Sequence, residues 1–147
     1  GEARCRACGW PSRIYHYDPM TYDSIGTGIV YCRDGLQDER LPTQWAMTSD
    51  IVRALGCMVP APVDHLFCDN AVQDLGRAGH CLSYMPAVLI EHMHPLAGKA
   101  PADAGYIHVN RPEQYRRDRA VYDIWREQTL PDQAAMVRAL RGSRHGE

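Results

Sequence analysis

The sequence predicts a mixed α/β fold in which a small mixed sheet is covered by helices. A buried strand is expected at 28–32, where five consecutive residues are small or apolar, because short apolar runs bounded by turn residues are typical of buried strands. Apolar residues at helical spacing follow this strand and also end the chain. Since the strands are too few for a complete doubly wound sheet, we expect either part of a larger unit or a small sheet with flanking helices.

The first two helices are predicted from their end signals. The first is expected to begin near Thr48 or Ser49, either of which can cap it, and to end at Gly56. The second is expected to run from about 69–70 to Gly79, with a buried apolar face.

Extended structure is predicted over 81–94, with an interruption at Pro86. Its core is the apolar run 88–90, and the strand is expected to continue to His94 because Pro95 cannot donate to a sheet ladder.

The chain is predicted to divide into three segments. Residues 1–27 are expected to be irregular, because glycine and proline recur throughout them. Residues 28–128 form the main α/β segment, which ends in a long helix that begins near Pro112. Residues 129–147 are expected to form a last helix, capped at Thr129, and a tail.

Composition excludes several classes of function. A chain of 147 residues suits one domain, and its net charge of -2 supplies no bulk electrostatic attraction to nucleic acid. No apolar run approaches the roughly 18 residues that span a bilayer. We therefore expect a cytoplasmic protein without a membrane partner.

The six cysteines are not expected to form a disulfide framework, because no secretory signal accompanies them. Cys57, Cys68 and Cys81 lie in apolar surroundings and are predicted to be small buried hydrophobes. Cys5 and Cys8 have the spacing of a zinc pair, although a structural zinc needs four ligands.

His92 and His94 are the strongest candidates for chemistry. On a strand, two residues that are two positions apart project to one face, whereas Glu91 points the other way. Two imidazoles placed in this way can share a metal, or one can bind it while the other orients the first. The alternative is a pair of partly exposed histidines at a sheet edge.

Asp69 and Trp45 are the other candidates. Asp69 follows an apolar stretch at a loop-to-helix junction, where it can be a plain N-cap or a general base that takes a proton from a hydroxyl. Trp45 precedes the first helix and can stack on a sugar ring or belong to the core.

These motifs occur in an order that resembles the C-terminal part of phage and actinobacterial GT-A glycosyltransferases, of the family 2-like kind. The resemblance covers about two thirds of the chain, from Gly28 to about Trp125. The matching residues are Leu41–Gln44, Met47–Ser49, Leu55–Gly56, His65–Phe67, Asp69, Asp74–Gly76, Tyr84–Pro86, Ile90–Pro95, Gly98–Ala100, Asp103, Tyr106 and Asn110–Tyr115.

The resemblance implies a partial GT-A fold in which 28–128 is the acceptor-side half. In such enzymes Mn²⁺ or Mg²⁺ holds the diphosphate of a nucleotide-sugar donor, through a short acidic motif and a later histidine. His94 is the favoured counterpart of that histidine, with His92 as the alternative. Asp69 would be the base of an inverting transfer to an unknown acceptor, and Lys99 would assist the phosphates.

The chain departs from the family pattern in its donor-side residues. No Asp-x-Asp motif occurs in it, and in the counterpart at its start Glu2 keeps one carboxylate while Ala3 cannot bind a metal. The resemblance therefore implies a nucleotide-binding N-terminal half outside this chain. The alternatives are a non-catalytic remnant that needs a partner and a small zinc-binding or interaction module.

Overall fold

The computed structural model describes residues 26–143. The strands are β1 (Ile29–Arg33), β2 (Trp45–Met47) and β3 (Leu82–Leu89). The helices are α1 (Ser49–Leu55), α2 (Cys68–Ala78), α3 (Ala104–Val109), α4 (Pro112–Gln128) and α5 (Leu130–Ser143). Two 3-10 turns cover Asp38–Arg40 and Pro95–Ala97. The prediction of a mixed α/β fold with a small mixed sheet and flanking helices is confirmed.

The three strands form one mixed sheet in the order β2-β1-β3. β2 pairs with β1 antiparallel, and β3 pairs with β1 parallel. The connection from β1 to β3 passes through α1 and α2, as a parallel pair requires. The carboxyl ends of β1 and β3 therefore meet at one edge of the sheet, beside the start of β2.

Helices pack on one face of this sheet. Ile29, Met47 and Leu82 are register partners and share that face, where they meet side chains of α1, α2 and α5. The core cluster comprises Ile29, Ile51, Val72, Leu75, Cys81 and Val137. On the other face Ala46 and Ser83, the register partners of Val30, are exposed. The described residues thus form a two-layer unit rather than a sheet covered on both faces.

A second cluster ties α4 to α2 and to the loop before it. It comprises Ala61, Ala71, Tyr122 and Trp125. α4 is the longest helix of the described part, with 17 residues. None of the helices within 26–143 is long and apolar enough to cross a membrane.

The predicted helix ends agree with the structure. Gly56 ends α1 in the left-handed conformation, with φ of 71°, which glycine adopts at no steric cost. Thr48 is the N-cap of α1, but its hydroxyl accepts from the backbone N–H of Gly28 at 3.0 Å and so joins the helix to β1.

One prediction about β3 is confirmed in part and one is wrong. The chain stays extended through Pro86, but its pairing with β1 is interrupted there, since Met85 pairs with Cys32 and the next pair is Leu89 with Arg33, as expected for a proline at a bulge. The strand ends at Leu89 and does not continue to His94. Its partner β1 ends at Arg33, after a register shift that pairs Arg33 with Leu89, so residues 90–94 follow the chain after β1 through two backbone bonds but do not form strand.

Candidate active site

The site lies where the loops after β1 and β3 run side by side. The backbone N–H of Ile90 donates to the carbonyl of Arg33 at 2.9 Å, and that of His92 donates to the carbonyl of Asp34 at 2.8 Å. The carboxyl ends of parallel strands are the usual position of ligand sites in α/β folds. The chain therefore brings two polar loops together where such a site is expected.

Asp34 is fully buried at the carboxyl end of β1. Its Oδ1 accepts from the backbone N–H groups of residues 36–38 at 2.7–2.9 Å. Its Oδ2 accepts from the Thr43 hydroxyl at 2.5 Å and lies 3.4 Å from Nδ1 of His92. Burial alone would raise the pKa of Asp34, but the bonds from Thr43 and from the three N–H groups outweigh it and hold the pKa well below its ordinary value. We call this arrangement the Asp34 clamp.

Asp69 is the second residue of α2 and is half-buried. Its Oδ1 accepts from the indole N–H of Trp45 at 3.3 Å. Burial raises the pKa of Asp69, and the neighbouring carboxylate of Asp34 adds to that rise, whereas the Trp45 bond and the charge of His92 oppose it. The charges of Asp34, which follows β1, and of His92, which follows β3, therefore both act on the pKa of Asp69.

Asp69 does not cap α2, because the N-cap residue is Phe67 and no side-chain cap bond is made there. Phe67 has φ of 67°, a conformation that bulky residues rarely adopt. The Phe67 ring stacks on Tyr122 with centroids 5.4 Å apart and contacts Tyr115 at 5.2 Å. Packing of this ring on α4 thus fixes the backbone that leads to Asp69.

A second buried carboxylate, Asp118 on α4, holds the loop before α2. It accepts from the backbone N–H groups of Asp64 at 3.2 Å, His65 at 3.1 Å and Leu66 at 2.8 Å, and from the Gln114 side chain at 3.0 Å. Burial opposes ionisation of Asp118, but these bonds lower its pKa. This Asp118 clamp anchors the chain that enters α2 and so positions Asp69.

His92 and His94 lie in contact although they are not on a strand. Their rings meet edge to face with centroids 4.9 Å apart, and His94 meets Tyr106 in the same way at 5.4 Å. Nδ1 of His92 faces the Asp34 carboxylate, and Nδ1 of His94 accepts from the backbone N–H of Leu96 at 3.2 Å. Nε2 is therefore the ring nitrogen that neither of these contacts uses in each histidine.

The histidine pair is not a complete metal site by itself. Within residues 26–143, no three histidine, cysteine or acidic side chains are grouped closely enough to hold a metal by themselves. His92 and His94 can supply two imidazole nitrogens, and the Asp34 carboxylate behind His92 is the kind of partner that orients metal-binding imidazoles. Glu2, Cys5 and Cys8 lie outside the described residues.

Lys99 lies beside the site but is already paired. Its Nζ is 2.7 Å from Oε1 of Glu91. The same Nζ would lie 3.5 Å from a methyl group added at Gly35, next to Asp34. Lys99 is thus a cation at the rim of the Asp34 clamp. A phosphate could bind its ammonium group only by replacing the Glu91 carboxylate as its partner.

The structure joins Trp45 to Asp69 by a hydrogen bond and His92 to His94 by ring contact, and the charge of His92 lowers the pKa of Asp69. Asp34 was missed by sequence reasoning, although an acidic residue directly after a buried strand and before a glycine is a readable signal. The Asp118 clamp had no such signal, because its donors are 52–54 residues away along the chain.

No protein-family model matches this chain, and no match was found among curated proteins or solved structures. The resemblance to glycosyltransferases consequently stays a prediction from the motifs.

Proposed function

We propose that this chain is the acceptor-side part of a metal-dependent glycosyltransferase that moves a sugar from a nucleotide-sugar donor to an acceptor hydroxyl. The observation that carries the proposal is the environment of Asp69. A half-buried carboxyl of raised pKa accepts from a tryptophan indole and is influenced by the charge of His92, whose ring contacts His94. The proposal requires the base, a platform for a sugar and the metal-binding nitrogens to serve one reaction centre.

Asp69 is the proposed general base. A carboxylate of raised pKa is a better proton acceptor than an ordinary one, because base strength follows the pKa. Asp69 would take the proton of the acceptor hydroxyl as the oxygen forms its bond to the anomeric carbon of the donor. The bond between that carbon and the diphosphate breaks, and the diphosphate leaves with the electron pair.

Trp45 has two proposed parts in this scheme. Its N–H holds one oxygen of Asp69, which leaves Oδ2 to face the hydroxyl. Trp45 is half-buried and packs partly on the core cluster, so one ring face is anchored and the remaining surface can stack on a sugar. Neither part requires movement of β2.

His94 and His92 are the proposed protein ligands of Mn²⁺ or Mg²⁺, with phosphate oxygens of the donor as further ligands. A divalent ion at this place would neutralise the charge that develops on the leaving diphosphate. Lys99 would add a point charge for the same phosphates once Glu91 has released it.

The experiment is isothermal titration of the chain with nucleotide-diphosphate sugars in the presence and absence of Mn²⁺. The proposal expects one donor to bind only with Mn²⁺ and expects that binding to be lost when the histidine pair is broken, in His92→Ala or in His94→Ala. His108→Ala is the matched control, because His108 is exposed and bonds to Arg111 rather than to the site. A folded chain that binds no donor with Mn²⁺ would refute the metal-dependent role.

A non-catalytic interaction module is the second candidate. The observation that favours it is the set of large apolar side chains exposed within 89–107, because clustered exposed apolar residues often mark interaction surfaces. The exposed residues are Leu89, Ile90, Met93, Leu96 and Ile107. This candidate predicts that His94→Ala and Asp69→Asn leave all measurable binding unchanged, whereas Leu96→Asp does not.

A further inference from the structure

Only one of the two carboxylate oxygens of Asp34 is needed to hold the turn that follows β1. Its Oδ1 alone accepts the three backbone N–H groups of residues 36–38, and the carbonyl oxygen of an asparagine would serve them in the same way. The second oxygen, Oδ2, faces Thr43 and His92 instead. Aspartate is therefore required at this position, in place of asparagine, because the second oxygen must also be a hydrogen-bond acceptor.

Asp34 and His92 are joined twice. The backbone N–H of His92 donates to the Asp34 carbonyl at 2.8 Å, and Nδ1 of His92 lies 3.4 Å from Oδ2. Because the backbone bond fixes where His92 starts, the ring stays opposite the carboxylate. An ionised carboxylate only accepts hydrogen bonds, and Asp34 accepts from three backbone N–H groups and from the Thr43 hydroxyl, a set of donors that suits the ionised form. The proton between the two groups must therefore belong to the imidazole.

We infer that Asp34 is a positioning residue that holds His92 as the Nδ1–H tautomer, so that Nε2 carries a lone pair and is delivered as a metal donor. The tautomer follows from the contacts alone. Its use for a divalent ion rests on the proposed function. His94 is in the opposite state, because its Nδ1 accepts from the Leu96 N–H. A neutral His94 then carries its proton on Nε2, which makes His92 the histidine better prepared to bind a metal.

This distinction reverses the order in which the two histidines were predicted as ligands. A metal ligand must present an unprotonated nitrogen. His92 does so as it stands, whereas His94 would have to lose the Leu96 bond or exchange its proton. The inference is thus that His92 is the principal ligand and His94 its neighbour.

The test is the long-range proton–nitrogen NMR spectrum of the histidine rings at about pH 8.5, where free imidazole is neutral. The His92 signals are assigned by their loss in His92→Gln. The expected wild-type result is a proton on Nδ1. A proton on Nε2 of His92 would overturn the inference.

The variant Asp34→Asn supplies a second test of the positioning role. Its carbonyl oxygen can keep the bonds to residues 36–38, while its amide group replaces Oδ2 and must donate to Nδ1 of His92. The expected result is the opposite tautomer and about tenfold weaker binding of Mn²⁺. Asp123→Asn is the control, since it makes the same change at a carboxylate on α4 that pairs with Arg119 rather than with the site. It is expected to leave the His92 tautomer unchanged.

The two hypotheses fail separately. If Asp34→Asn inverts the tautomer but wild-type protein binds no Mn²⁺, the positioning role stands and the proposed metal-dependent function fails. If Asp34→Asn folds and the tautomer does not change, the positioning role is refuted whatever the Mn²⁺ result.

Discussion

Replacement of Asp118 by asparagine should destabilise the protein and disturb the candidate site from a distance. The carboxylate is 1% exposed, and its Oδ2 accepts from the N–H groups of His65 and Leu66, whereas Oδ1 accepts from Asp64 and Gln114. In Asp118→Asn the carbonyl oxygen can keep the Oδ2 bonds, but the amide group would point its hydrogens at the Oδ1 donors.

The expected cost follows from these bonds. A hydrogen bond to a charged acceptor exceeds a neutral one by about 1 kcal/mol, which applies to both Oδ2 bonds. The N–H of Asp64 loses its acceptor at a cost of about 1 kcal/mol, since this loop residue is exposed and water can reach it. The free energy of unfolding should therefore fall by about 3 kcal/mol, which for a domain of this size lowers the Tm by about 10 °C.

The assay is urea and thermal unfolding followed by circular dichroism, with Asp123→Asn as the matched control. Asp123 lies on the same helix but is partly exposed and pairs with the exposed Arg119, a kind of pair that contributes little. The control should leave the Tm unchanged. Equal Tm values for the two variants would refute the clamp, as would a destabilised Asp118→Asn whose Asp69 NMR signals stay at their wild-type positions.

Three further predictions concern pH, packing and the base. Both clamps hold carboxylates of lowered pKa, so their contribution to stability is complete above the ordinary carboxyl pKa of about 3.9 and is lost as the pH falls further. Unfolding measured over a series of acid pH values should show this loss of stability. A free energy of unfolding that stays constant below about pH 4 would contradict the prediction. Gly76→Ala would put a methyl carbon 2.9 Å from Cβ of Leu82; overpacking should exceed the gain in helix propensity and destabilise by about 1 kcal/mol, whereas Gly142→Ala meets nothing within 4 Å and should not destabilise. Trp45→Phe removes the bond that lowers the pKa of Asp69, so carbon-13 NMR should find that pKa higher than in wild type; an unchanged value would exclude the bond.

Local signals predicted most of the fold. The apolar run at 28–32, the cap residue Thr48 and the stop at Gly56 each act within a few residues, and β1 and α1 lie where they indicate. The length of β3 depends instead on its neighbour. Residues 90–94 have strand-like composition but lie outside the ladder, because β1 ends at Arg33 and Asp34 turns to bind residues 36–38.

The candidate site was predictable only in part for a related reason. The histidines and Asp69 were found from residue type and spacing, although the argument that placed His92 and His94 on one strand face was wrong. They meet because the loop after β3 follows the loop after β1 through the backbone bond to Asp34. Asp118 acts across 52–54 residues, and no local pattern marks a contact of that range.

The central claim is that one centre holds the base and the metal-binding histidines, and Mn²⁺-induced broadening of NMR signals tests it most directly. Bound Mn²⁺ broadens only the signals of nearby nuclei, even when its affinity is low. The account predicts selective broadening of the His92 and His94 rings and of the Asp69 carboxyl, while the buried Trp125 indole and the exposed Glu113 carboxyl stay sharp. Broadening at Glu113 without the histidines, or of the histidines without Asp69, would contradict it.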